Sequence, residues 1–223
     1  MNLAKYIISG LAVALFLISC GKDNKTASPA STPVVGTQNL GSGNILAPFD
    51  PSFEDISANT NSRRLPSLNA RYFRVKNSSN RNIRRTRAQA QIINGVAFTG
   101  DKALQLFDAQ SQIITFPIDT QRKGRPLNLI PGARYRISAK IRLPRGNRAG
   151  SINAEFTALL FSENQRIGRD RKSKSYPWPE DGRWIEISEE FETPSLTQNG
   201  SFNLGFSGSS DVIVDDLNLT RIR

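Results

Sequence analysis

Between Pro131 and Gly146 the chain reads PGARYRISAKIRLPRG, and from Arg134 to Leu143 polar and apolar residues alternate without a break. A period of two puts Tyr135, Ile137, Ala139, Ile141 and Leu143 on one face of a strand and Arg134, Arg136, Ser138, Lys140 and Arg142 on the other. Pro131-Gly132 in front, with Pro144 and Gly146 behind, supply the turn chemistry that sets its ends. A half-buried strand of this kind requires a second layer over its apolar face. Its other face is cationic, either merely solvated or available to a ligand.

The 223 residues suffice for one sizeable domain or two small ones. Net charge is +11, and it is unevenly spread. From Ile56 to Gly100 there is no acid, while Arg63, Arg64, Arg71, Arg74, Lys76, Arg81, Arg84, Arg85 and Arg87 are all cationic. A second cluster is Arg166, Arg169, Arg171, Lys172 and Lys174, opposed only by Asp170. Such patches attract phosphates, sulfates and uronic acids. Nucleic acid would also suit them, but the compartment read from the N-terminus argues against it. There is no histidine and one cysteine, Cys20, which removes His-dependent acid–base catalysis, Cys/His zinc sites and any internal disulfide.

Lys5 followed by the apolar run Tyr6 to Ile18 has the layout of a secretory signal peptide, too short to span a bilayer comfortably. Leu17-Ile18-Ser19-Cys20 resembles the lipobox of bacterial lipoproteins. That resemblance implies cleavage before Cys20, diacylglycerol on its sulfur and an acylated amine; several chains make a stable anchor where one does not. The signal peptide is then 1–19. Residues 20–43 are the lipidated cysteine and a linker rich in Ser, Thr, Pro, Asn and Gly, which cannot bury enough surface to become ordered. A flexible coil of about 23 residues separates its ends by roughly 25 Å. Gly21, rather than an aspartate, follows the cysteine and points to the outer membrane.

From residue 44 to 223 the pattern becomes that of a folded domain. Strands are expected at Arg71–Lys76, Gln89–Phe98, Ala103–Phe107, Ile113–Ile118, the Arg134–Leu143 stretch, Asn153–Phe161, Arg183–Phe191, Ser201–Ser207 and Val212–Arg221. A long basic loop is expected between Phe161 and Gly182. About nine short strands with turn signals between them, and no convincing helix, define an all-β sandwich or barrel.

Phe53-Glu54, then Thr99-Gly100-Asp101-Lys102-Ala103-Leu104-Gln105-Leu106, then Pro131 to Ala139, then Gly182-Arg183-Trp184-Ile185-Glu186-Ile187-Ser188, and last Val212-Ile213-Val214-Asp215-Asp216-Leu217 form an ordered series. It resembles the landmarks of jelly-roll carbohydrate-binding modules, the group numbered four, nine and twenty-two. The resemblance spans almost all of residues 44–223 and implies an antiparallel jelly-roll β-sandwich.

It also implies site residues. Similar modules hold a structural Ca²⁺, here through Glu54 and Asp215 with carbonyls near Gly100 to Lys102. Asp215 shares parity with Ile213, Leu217 and Leu219, so its carboxylate is expected to point with the apolar set and to need a positive partner, either the metal or an Arg or Lys. Tyr176 and Trp178, in the proline-stiffened SYPWPEDG, are the aromatic candidates for saccharide contact, though Trp178 equally suits anchoring that loop. Trp184 matches the family's packing tryptophan. On the sheet the resemblance assigns to glycan, Arg136 and Glu155 are the polar candidates.

Glu186, Glu189, Glu190 and Glu192 crowd one strand, but Glu189 and Glu190 point to opposite faces. Glu186 and Glu190 share a face at roughly 13 Å, beyond the carboxylate separation of glycosidases. No catalytic set is assigned. The sequence thus reads as a non-catalytic lipoprotein of the bacterial outer envelope, holding a polysaccharide, neutral or acidic. The alternative is an assembly or adhesion subunit docking anionic lipopolysaccharide or an acidic protein through its Arg-rich patch.

Overall fold

The computed structural model describes residues 43–56, 68–77, 89–109, 112–118, 127–144, 150–163, 165–177, 182–207 and 211–222. The chain divides into Met1–Thr37 and Gln38–Arg223, and the first unit, with the signal-peptide and Cys20 readings, lies outside the described residues.

Among the described residues of the second unit a 3₁₀ turn, Ala47–Phe49, precedes twelve strands: β1 Leu68–Asn69, β2 Arg74–Asn77, β3 Gln89–Asn94, β4 Lys102–Phe107, β5 Gln112–Phe116, β6 Leu127–Asn128, β7 Arg134–Arg142, β8 Ser151–Ser162, β9 Gln165–Pro177, β10 Ile185–Glu192, β11 Asn199–Ser207 and β12 Val212–Arg221. The larger sheet runs β1-β2-β5-β11-β8-β9, with β6 beside β11; the smaller runs β10-β7-β12-β4-β3. Each ladder is antiparallel. The fold is therefore all-β, two antiparallel sheets sharing one core.

The alternating stretch became β7, flanked in the smaller sheet by β10 and β12. Tyr135, Ile137, Ala139 and Ile141 are buried against Phe156, Phe202 and Leu204 of the larger sheet's inner face. Full burial of each larger side chain contributes about 1.5–3 kcal/mol. Tyr135 stacks on Phe191 with ring centroids 5.5 Å apart, and its hydroxyl accepts the Ile130 N–H at 2.8 Å. The turn before β7 uses Gly132 at φ +69°, a conformation open to glycine at little cost. Asn44 fastens the start of the domain to β12: its amide donates to the Leu217 carbonyl at 2.9 Å and its oxygen accepts the Leu219 N–H at 3.0 Å.

Two readings from the sequence are corrected. Most of the expected basic loop is β9, an edge strand pairing with β8 over nearly its whole length. It carries no apolar alternation because both its faces are largely solvated; only Tyr176 is buried. The parity expected for β12 is also broken. The register shifts between Asp215 and Asn218, with Asp216 at φ +48°. This bulge turns Val212 and Val214 inward before it and Leu217 and Leu219 inward after it. Asp215 therefore does not point with the apolar set: it opposes Lys140 on the outer side of the smaller sheet.

Candidate functional site

The registers of the larger sheet align two rows of side chains on its outer face. One runs Arg74, Thr115, Asn203, Thr157, Arg171; the next runs Lys76, Ile113, Gly205, Glu155, Ser173. Directly opposed residues in an antiparallel pair share a face, so each row crosses five strands on one side. Four strand spacings make it about 19 Å wide. Between the margins lie Thr115, Asn203 and Thr157 in one row and Ile113, Gly205 and Glu155 in the other, with Thr115 Oγ1 donating to Asn203 Oδ1 at 2.8 Å and Thr157 Oγ1 donating to Glu155 Oε1 at 3.2 Å. Long cationic side chains stand at both margins: Arg74 and Lys76 on β2, Arg169 and Arg171 on β9. Neither row holds an aromatic residue. The one acid in them, Glu155, is bonded by the Arg171 guanidinium. The arrangement is a trough of hydrogen-bonding groups between two positive rims.

The structure does not bring Arg136 and Glu155 together. Their strands, β7 and β8, are consecutive in the chain but lie in different sheets, so the two side chains stand on opposite outer faces. Arg136 pairs with Glu190 at 2.8 Å, as does Arg134, and these partners hold the Glu190 carboxyl below its usual range. Glu186 is likewise paired, with Lys140 at 2.8 Å.

Tyr176 is not an exposed loop aromatic. It sits on β9 with its ring buried, and its hydroxyl donates to the Ser188 carbonyl at 2.8 Å and accepts the Ser188 N–H at 3.0 Å. Burial pushes the phenol pKa up. Lys174 holds its ammonium 5.3 Å from the ring centre. Trp178 lies outside the described residues, as do Arg63, Arg64, Arg81, Arg84, Arg85 and Arg87 of the Arg-rich patch. Trp184 is only partly buried and lies outside the core, its ring meeting Phe98 edge-on at 5.9 Å.

The residues expected to hold calcium do not fit a calcium cage. Glu54 Oε1 accepts the N–H groups of Asp101 and Lys102 at 2.9 and 2.8 Å. Asp215 Oδ2 accepts those of Phe98 and Thr99 at 2.6 and 3.0 Å, and Oδ1 that of Asp216 at 2.7 Å. Both carboxylates are thus committed to backbone donors, whereas Ca²⁺ requires six to eight free oxygens. The cation beside Glu54 is the chain's own: the Lys102 ammonium donates to the carbonyls of Glu54 and Ile56. Gly100 stands there at φ +67°, a left-handed conformation that a side chain would strain, and a Cβ would also displace the Glu54 carboxylate. Among the described residues no group of three or more His, Cys, Asp or Glu is placed to hold a metal ion. Together the two carboxylates hold the turn from Phe98 to Lys102, while the Gly95 N–H is taken by Asp101.

No family model matches the chain, and no curated protein matches it. Solved structures overlap its strands. The CBM22-1–GH10 modules of Clostridium thermocellum endo-1,4-beta-D-xylanase 10B, complexed with xylohexaose, align at 15% identity over 61% of this chain, with a TM-score of 0.45. The chain spans about a quarter (25%) of that structure. The CBM22-1 xylan-binding domain of Paenibacillus barcinonensis Xyn10C aligns at 11% identity over 62% of this chain and 84% of its own, with a TM-score of 0.44. The enzymatically active domain of bacteriophage CBA120 tailspike protein 4 aligns at 10% identity over 80% of this chain and 21% of its own, at 0.48.

Proposed function

We propose that this chain is a non-catalytic, lipid-anchored binding protein of the bacterial envelope that holds an acidic polysaccharide across the outer face of its larger sheet. The observation that carries the reading is the trough itself: short donors and acceptors in register along its floor, with Arg74 and Lys76 on one rim and Arg169 and Arg171 on the other. Sugar hydroxyls both donate and accept, which suits Thr115 and Asn203 on its floor, with Thr157 buried beside them. Acidic substituents would meet the rims. Glu186 and Glu190 of the smaller sheet, whose spacing along β10 is already too long for a glycosidase pair, are held in ion pairs. Cys20 in its lipobox-like context supplies the anchor.

Affinity electrophoresis of the folded protein tests this. Polygalacturonate or alginate in the gel is expected to retard the native chain, and Arg74→Ala with Arg171→Ala to lose that retardation. A folded chain that no acidic polysaccharide retards removes the proposal. Radiolabelled palmitate should enter the native chain in the bacterial host and not Cys20→Ser.

A second reading is an envelope assembly subunit that docks lipopolysaccharide phosphate or an acidic protein. Arg74 and Lys76 favour it, because they belong both to the trough rim and to the Arg-rich patch. Binding through charge alone would vanish as salt is raised past about 0.15 M, where screening acts within about 8 Å. A glycan held also by the floor would be weakened and retained.

A further inference from the structure

Three locally unfavourable features coincide on the opposite outer face, that of the smaller sheet. Phe98, in the turn between β3 and β4, is 45% exposed although Asp215 fixes its backbone. Asp216 occupies a left-handed conformation that costs a non-glycine residue of order 1 kcal/mol or more. The bulge sets this backbone conformation, which aspartate adopts more readily than most residues, as Asp50 and Asp108 also do here. The Asp216 carboxyl is moreover desolvated by burial, with Glu186 repelling its charge and Lys140 attracting it. Local rules broken together in one place mark a functional site more often than a packing accident.

The parts converge. Trp184 meets Phe98 at 5.9 Å, the Lys140 ammonium stands 4.8 Å from the Phe98 ring centre, and the same ammonium is 2.8 Å from Glu186. Lys140 lies between Glu186 and β12, with Arg142 two residues along on the same face of β7. Aromatic surface beside two carboxylates and an ammonium suits an uncharged polyol ring. Such a ring's C–H face packs on the aromatic groups while its vicinal hydroxyls donate to carboxylate oxygens and accept from the ammonium.

We propose that Phe98, Trp184, Lys140, Glu186 and Asp216 form a second binding site, for a neutral sugar ring, on the face opposite the trough. It does not depend on the trough's ligand being acidic, or on the trough binding anything.

The test uses the full chain in detergent with Trp178→Phe, so that Trp184 is the remaining tryptophan. Its fluorescence is followed while cellohexaose, xylohexaose and mannohexaose are added to millimolar concentration. The expected result is a saturable change with at least one of the three. Phe98→Ala and Asp216→Asn should each weaken it at least tenfold, with the thermal midpoint of Asp216→Asn unchanged or raised. No saturable change with any of the three overturns the proposal, and so does a change that both variants leave within twofold. If Trp178→Phe does not fold, the indole N–H resonances of the native chain provide the same reading. Retention on acidic polysaccharide is measured separately and reports on the trough alone.

Discussion

The Tyr176 hydroxyl occupies both free backbone groups of Ser188, giving its proton to the carbonyl at 2.8 Å and taking the N–H at 3.0 Å. Ser188 lies on β10, an edge of the smaller sheet, and Tyr176 on β9, an edge of the larger. One phenol therefore ties the margins of the two sheets together and satisfies polar groups that an edge strand leaves open.

Removing that hydroxyl separates a structural role from a ligand role. Tyr176→Phe leaves two partly buried backbone groups without their partner, at a cost of about 1–3 kcal/mol. In a domain of this size the thermal midpoint should fall by roughly 2–4 °C per kcal/mol. Calorimetry checks the drop, and affinity electrophoresis should show retardation by acidic polysaccharide unchanged below the transition. Lost retardation at an unchanged midpoint would return Tyr176 to the binding surface.

The turn from Gly95 to Asp101 gives a second expectation. The Lys102 ammonium donates to the carbonyls of Glu54 and Ile56, beside the Glu54 carboxylate that holds the end of that turn, so the turn is expected to close without a metal. Millimolar Ca²⁺ or EDTA should leave its melting curve where it is. Lys102→Met should lower the midpoint by a few degrees, since it leaves part-buried carbonyls without their donor at about 1–3 kcal/mol. A rise in the native midpoint with Ca²⁺ would show that the carboxylates can release their N–H donors to a metal.

What the sequence disclosed follows from where periodicity survives. Tyr135 to Leu143 was legible because one face is buried and the other wet, so the code repeats every two residues. β9 was not, because Arg169, Arg171 and Ser173 face solvent on one side, and Lys172 and Lys174 are exposed on the other. A strand without a buried face has no alternation to read. Counting parity through β12 failed for a local reason, the single extra residue at Asp216. The pairing of Arg136 with Glu155 failed for a topological one, since consecutive strands β7 and β8 belong to different sheets. Glu54 and Asp215 were found as important carboxylates, but residue type alone does not say whether N–H groups or a metal will claim them.

Acid titration should show the cost of buried carboxylates with a definite sign. Burial raises both Asp50 and Asp215 from 3.8 to about 6. A folded-state pKa above the unfolded one means that the folded chain binds protons more readily across that window. Stability should therefore rise as pH falls through about 6 toward 3.8, the window between the folded and unfolded values. Glu190 acts oppositely: its pKa is lowered from 4.5 by Arg136 and Arg134, so its contribution is lost only as pH falls further, through that lowered value. Urea midpoints across pH 4 to 8 are expected to peak between about 4.5 and 6, and a midpoint greatest at pH 8 would contradict the assignment.

The trough makes its sharpest prediction at Glu155, whose role there runs against the expectation of a ligand contact. It is the only acid in the two rows, and the Arg171 guanidinium is bonded to it. An approaching anion must share that guanidinium with a fixed carboxylate and meets the carboxylate's own repulsion. Glu155→Gln keeps the shape and the acceptor for Thr157 while removing the charge, so affinity for polygalacturonate should increase. Exposed pairs are worth about 0.2–1 kcal/mol, which is roughly a 1.5- to 5-fold gain. Arg74→Ala with Lys76→Ala, on the far rim about 19 Å away, should lower affinity by a similar factor per charge and flatten its dependence on salt. Titration calorimetry at two salt concentrations reads both effects. A weaker complex in Glu155→Gln would instead mean that the carboxylate itself accepts hydroxyls of the bound chain, and that anion recognition is confined to the rims.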